Sequence, residues 1–140
     1  MPEIIMALDQ GTTSSRTILY NAKGEPIAMA SEAFPCHYPQ PGWVEQEAED
    51  IWRTQKNTLD AALKQAGLGL GEVAAIGITN QRETVIAWHA ETGRAVGRAI
   101  VWQCRRTADY CDQLKAEGFD AVIKAKTGLV TDAYFSGSKI

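Results

Sequence analysis

Ala7-Leu8-Asp9-Gln10-Gly11-Thr12-Thr13-Ser14-Ser15-Arg16 is the stretch on which the fold turns. The apolar run Ile4-Ile5-Met6-Ala7-Leu8 that leads into it is too short for a helix and predicts a buried strand. Thr17-Ile18-Leu19-Tyr20 follows as a second β-rich run, so the polar decapeptide predicts the tight connection of a hairpin at the end of a sheet. Gly11 lets a ligand approach the backbone closely, and the hydroxyls of Thr12, Thr13, Ser14 and Ser15 add donors without adding charge. Arg16 supplies the positive charge, and the combination suits a phosphate. Asp9, at the end of the first strand, would then face a metal ion carried by the phosphates. An ordinary polar hairpin turn accounts for the same residues, and the turn alone does not separate the two readings.

Composition narrows the classes. A chain of 140 residues is one domain of ordinary size and buries roughly two thirds of its unfolded surface. Fourteen Lys and Arg against seventeen Asp and Glu give a net charge of −3, and the signs are mixed along the chain. No basic stripe with interleaved aromatics appears, which argues against nucleic acid as a partner. Met1-Pro2-Glu3 carries no basic n-region and the first apolar run is short, so neither a signal peptide nor a membrane span is expected, and the cytoplasm is the expected location. Cys36, Cys104 and Cys111 are odd in number and lack C-x-x-C spacing, which argues against a disulfide framework and a zinc site.

Along the chain, the turn at residues 20–26 leads into a third strand over 27–33, making a three-stranded meander. Residues 34–43 hold three prolines and a glycine and predict a loop, ordered if Phe34, Tyr38 and Trp43 pack. An apolar stripe at helical spacing predicts a long helix over 47–66, acidic at its start and stopped by Gly67, with Trp52 on its core side. Residues 73–79 predict a buried parallel strand whose carboxyl end presents Asn80-Gln81-Arg82-Glu83, where ligands of such sheets bind. Further strands are expected over 84–88 and 99–102. A helix ending at Gly118 carries Cys111 and Leu114 on its apolar side and Arg105-Arg106 in its charged first turn; a second runs from 120 to 126. No Gly-x-x-x-x-Gly-Lys motif is present, which excludes a P-loop fold.

Five motifs now stand in order: residues 8–16, Gln40-Pro41-Gly42-Trp43-Val44-Glu45, Gly77-Ile78-Thr79-Asn80-Gln81-Arg82-Glu83-Thr84, Ile100-Val101-Trp102-Gln103 and Thr127-Gly128-Leu129-Val130. Together they resemble the amino-terminal part of the FGGY carbohydrate-kinase family, and within it the members that phosphorylate glycerol. The resemblance runs from Ile4 to Lys139. It implies an α/β chain with the ribonuclease-H-like fold of the actin and hexokinase superfamily, here an incomplete amino-terminal domain over residues 1–140 with a mixed sheet and flanking helices. It also implies ATP and magnesium as cofactors and transfer of the γ-phosphoryl group to the 3-hydroxyl of glycerol. By resemblance Thr12, Thr13, Ser14 and Arg16 contact the nucleotide phosphates and Asp9 lies near the magnesium. Arg82, Glu83, Trp102 and Tyr134 stand at the positions that form the glycerol pocket, the charged pair for the hydroxyls and the rings for the carbon edge.

Two positions depart from the family pattern. Cys104 replaces an acid, which puts any salt bridge of Arg105 or Arg106 in doubt, and Asp132-Ala133-Tyr134 replaces Asp-Pro-Tyr, which predicts a looser loop under Tyr134. The resemblance further implies that the general base, an aspartate, and the adenosine-binding second domain follow residue 140, so these 140 residues alone are expected to be inactive. An inactive remnant serving as a binding module, self-associating through exposed sheet, is the alternative, as is a kinase of another polyol or ketose.

Overall fold

A computed structural model describes residues 3–140; Met1 and Pro2, part of the expectation about a signal peptide, lie outside the described residues. The elements in chain order are β1 (Ile4–Gln10), β2 (Ser14–Tyr20), β3 (Pro26–Ala33), β4 (Glu45–Gln46), α1 (Ala48–Ala66), β5 (Val73–Thr79), β6 (Ala99–Ile100), α2 (Ala108–Ala116) and α3 (Phe119–Thr127). Single 3-10 turns occupy Leu70–Glu72 and Ser136–Ser138. Instead of forming one undivided core, the chain splits into two compact units. The first holds the described residues up to Pro35 with Ala48–Gln81, the second Cys36–Glu47 with Arg82–Ile140.

In the first unit a four-stranded sheet runs in the order β3-β2-β1-β5. The meander β1-β2-β3 is antiparallel and β5 joins β1 in parallel, as the helix between them requires. Strand alternation puts Ile4, Met6, Leu19 and Ala28 on the face that packs against Ala62 and Leu63 of α1. Further along the same helix face the packing is polar. The Ser15 and Thr54 hydroxyls lie 2.7 Å apart and those of Thr17 and Thr58 3.0 Å apart, all four residues being buried. This seam corrects the reading of Trp52, which is 68% exposed on the far side of α1. The inward stripe is Thr54, Thr58 and Ala62 at i, i+4 spacing, and small paired hydroxyls let the helix sit closer to the sheet than an indole would.

Two other expectations change. Most of the polar decapeptide is strand, since β1 extends to Gln10 and β2 begins at Ser14; only Gly11-Thr12-Thr13 connects them. β5 has the expected place and direction, but it is not buried: Ile76 and Ile78 are 50% and 73% exposed. It is the edge strand beside β1, and α1 lies over β2 and β3 instead. Its apolar composition suits a strand covered on both faces, which these residues do not supply.

The second unit is built on short pairings. β4 pairs antiparallel with β6, and single bridges join His37 to Glu45, Val85 to Ile100 and Trp88 to Ala95. The strand expected over 84–88 is therefore an irregular segment, because its partner β6 is two residues long and offers Val85 one reciprocal pair of 2.9 Å hydrogen bonds with Ile100. Val44, Val101 and Cys104 form the core, flanked by Cys36, Trp43, Ile100 and Trp102. The loop at 36–43 is ordered, held by reciprocal His37–Glu45 backbone bonds and by Arg105 N–H on the Gly42 carbonyl, although Tyr38 is exposed. α2 and α3 stand where the sequence places two helices, although α2 begins only at Ala108, with Cys111 buried and left-handed Gly118 between them. No helix among the described residues is long and apolar enough to cross a membrane.

Candidate active site

The β1–β2 connection is closed by its own backbone. Gly11 N–H donates to the Ser14 carbonyl at 3.0 Å, and a Cβ on Gly11 would stand 3.0 Å from that same oxygen. The close approach that needs glycine is thus internal to the turn. The Gly11 carbonyl in turn accepts from the Gln10 and Gln81 side-chain amides at 3.2 and 3.1 Å, which ties the turn to the carboxyl end of β5. Sequence reading did not assign Gln81 this task; its position beside the strand end was the available signal. Of the four hydroxyls, that of Ser15 is excluded from ligand contact, being fully buried between Gln10 and Thr54. Thr12 and Ser14 are half-buried, Thr13 and Arg16 exposed.

Asp9 stands directly opposite Arg16 in the β1–β2 register and beside Thr79 of β5. Alternation sets Asp9 and Arg16 on the sheet face away from α1, since their neighbours Ser15 and Thr17 face the helix. Among the described residues neither side chain forms a hydrogen bond or ion pair, so a carboxylate and a guanidinium are both available beside a hydroxyl-bearing turn. Among those residues no cluster of three or more His, Cys, Asp or Glu could hold a metal by itself. A lone hard carboxylate suits magnesium that arrives with phosphates and keeps most of its water.

The second unit gathers the other predicted residues. Trp102 and Tyr134 meet edge to face with ring centroids 5.7 Å apart, and Tyr134 meets Phe135 at 5.0 Å. Trp102 N–H donates to the Thr84 hydroxyl at 3.3 Å, one residue beyond Glu83. Glu83 has φ +63°, and its carboxylate Oε2 accepts from Ser136 N–H at 2.8 Å and Ser136 Oγ at 2.9 Å. Those two bonds, the backbone one foremost, hold the Glu83 carboxyl below the usual carboxylate range, with Lys139 and Arg82 adding attraction. Lys139 Nζ donates to the carbonyls of Glu83 and Tyr134 at 2.9 and 2.7 Å, and burial pushes its pKa down. Arg82 is exposed next to Glu83. Glu83, Trp102 and Tyr134 are therefore brought together, and Ser136, Lys139 and Thr84 support them without having been foreseen.

The two departures from the family pattern do not have the expected effects. Arg105 and Arg106 precede α2 instead of opening it, and both are paired despite Cys104. Arg106 binds Glu45 at 2.6 Å, donates to Cys104 Sγ at 3.0 Å and lies 3.8 Å from the Trp43 ring centroid. Arg105 binds Asp132 at 2.7 Å, and each partner moves the other's pKa toward the charged form. Asp132 Oδ1 also accepts Tyr134 N–H at 2.8 Å, closing an Asx-type turn around fully buried Ala133. That turn and Lys139 fix the Tyr134 loop without the proline.

The mixed sheet has the actin- and hexokinase-like kinase fold, with a half-buried carboxylate opposite an arginine beside a Gly-Thr-Thr-Ser turn, and the second unit holds a Glu-Trp-Tyr cluster. The chain belongs to the FGGY family of carbohydrate kinases, whose N-terminal domain it matches over residues 4–140. Within that family it is similar to glycerol kinases: 56% identical over 140 residues to that of Xanthobacter autotrophicus and 54% over 138 residues to that of Ralstonia nicotianae. These alignments cover 100% and 99% of this chain. The Plasmodium falciparum glycerol kinase solved with ADP superposes with a TM-score of 0.89 at 29% identity, over 99% of this chain and 28% of that one. A xylulose kinase from Rhodospirillum rubrum shares the fold, with a TM-score of 0.88 at 24% identity over 98% of this chain and 28% of that one. The chain spans 28% of the length of both curated relatives.

Proposed function

We propose that this chain is the amino-terminal, substrate-binding part of an ATP-dependent glycerol kinase of the cytoplasm, which makes glycerol 3-phosphate and ADP. The observation that carries the proposal is the Glu83 carboxylate, anchored through one oxygen by Ser136, two residues after the Tyr134 whose ring meets Trp102. Glu83 and Arg82 supply the acceptor and donors for the hydroxyls of a short triol, Trp102 its aromatic wall, and Tyr134 the side that closes the pocket. In the first unit Thr12, Thr13, Ser14 and Arg16 bind the nucleotide phosphates. Asp9 would hold a phosphate-borne magnesium, which when bound would neutralise charge on the transferred group. Identity of 54% and 56% to glycerol kinases supports glycerol over other polyols and ketoses.

Phosphoryl transfer depends on positioning and charge stabilisation around both substrates, and the chain spans 28% of its relatives' length. The 140 residues therefore bind without turning over. Two assays test this: a coupled measurement of glycerol-dependent ADP formation, expected to stay at the level of heat-treated protein, and an NMR titration with glycerol against D-xylulose. Glycerol should shift the Trp102 and Tyr134 resonances. Equal shifts with xylulose, or none with glycerol, would overturn the assignment.

A further inference from the structure

Glu83 is the one non-glycine residue with positive φ among the described residues. A long side chain stays in left-handed backbone only where its neighbours over-determine it. The neighbours here are Ser136 and Lys139. Ser136 gives both its donors to the same oxygen, Oε2, and Oε1 takes no hydrogen bond among the described residues. Lys139 is half-buried and forms no ion pair there, yet its ammonium donates to two neutral carbonyls, those of Glu83 and Tyr134, from segments far apart in sequence. A lysine with no structural task keeps its ammonium in water.

We infer that Ser136 and Lys139 are positioning residues for polyol binding. Ser136 holds the Glu83 carboxylate in one rotamer with Oε1 presented to a ligand hydroxyl, and Lys139 ties the Glu83 peptide to the Tyr134 peptide. The acceptor and the aromatic wall are then set before the ligand arrives, and a hydroxyl donating to Oε1 makes a charge-assisted bond without first ordering its partner. This inference rests on the proposal that Glu83 and Tyr134 bind the polyol. It adds that their geometry is maintained by two side chains that do not touch the ligand.

The test is glycerol titrated into the molar range against the 15N-labelled chain, read at the Trp102 indole and at the Tyr134 and Ser136 amides. Wild type should show saturable shifts, and its Ser136 amide proton should follow the titration of Glu83. Lys139→Met, which keeps the side-chain length and loses the donors, should bind about tenfold more weakly, with Lys139→Arg recovering part of the loss. Ser136→Ala, which keeps the backbone bond, should lose about threefold to tenfold. Both should melt cooperatively, and if Lys139→Met does not fold, Ser136→Ala decides. Absence of saturable shifts in wild type overturns the polyol assignment and this inference with it. Wild-type binding that both variants match, or a Ser136 amide indifferent to Glu83, overturns the inference alone.

Discussion

Glu83→Gln isolates the charge of the site residue from its shape. Gln shares the left-handed backbone cost and keeps an oxygen for Ser136, so those terms cancel between the two proteins. What changes is the acceptor of the 2.8 and 2.9 Å bonds. Hydrogen bonds to a charged group contribute about 1.5–3 kcal/mol and neutral ones about 0.5–1.5, a difference of about 1 kcal/mol per bond and about 2 kcal/mol for the pair. With a urea slope of about 1–3 kcal/mol/M, the unfolding midpoint should fall by roughly 1 M at neutral pH. The fold lowers the pKa of this carboxyl, so its stabilisation is fully present above the unfolded value, about 4.3, and is lost as pH falls through the lower folded one. The gap between wild type and variant should stay constant above about pH 5, narrow as pH falls below the unfolded value, and close only once pH has passed the lower folded one. Tryptophan fluorescence is the appropriate probe, because Trp43, Trp88 and Trp102 lie in the same compact unit as Glu83. A midpoint unchanged at neutral pH, or a difference that persists unaltered into acid, would refute the account of Glu83 as an anchored anion.

The hydroxyl seam under α1 gives a second prediction: Thr17→Val should cost about 1–3 kcal/mol in urea unfolding, since Thr58 and Gln55 lose a buried partner. Adding Thr58→Val should recover much of that cost, because removing both partners leaves less unsatisfied than removing one; strict additivity would count against the seam as a coupled unit. Arg106→Ala should destabilise the second unit by about 1.5–3 kcal/mol, as the largely buried Glu45 loses its 2.6 Å charged hydrogen bond and keeps only Arg98 at 3.7 Å, while Trp43 loses the guanidinium stacked on it. Arg106→Lys should restore only part of the melting temperature, since an ammonium lacks the planar fork that serves Glu45, Cys104 and Trp43 together.

Local signals told most about the first unit. The meander, the long helix and the parallel return strand are each encoded by apolar runs; the bounds of β3, α1 and β5 agree with the sequence to within a residue, while β1 and β2 run two and three residues further into the polar decapeptide. The second unit was less legible, because β4 and β6 are two residues long and residues 84–88 make only single bridges, too little for any periodicity to show. Trp52 misled because large apolar side chains usually mark the inner face of a helix, whereas α1 buries threonines that find hydroxyl partners on β2. At the site, Glu83, Trp102 and Tyr134 were legible as motif members, but their supports at Ser136 and Lys139 were not, since neither has a distinctive local pattern.

The sequence alone carries the family, the sheet's connectivity and the residue types proposed here for phosphate and polyol. Those depend on motifs in register and on the periods of apolar runs, both of which are local along the chain. Only the tertiary structure decided which polar groups remain available and which are consumed. Ser15 is taken up by Thr54, Arg105 and Arg106 by Asp132 and Glu45, and one oxygen of Glu83 by Ser136. The physical reason is that a hydrogen bond or ion pair between distant residues needs both partners placed to within a few tenths of an ångström, and that placement comes from the packing of whole elements.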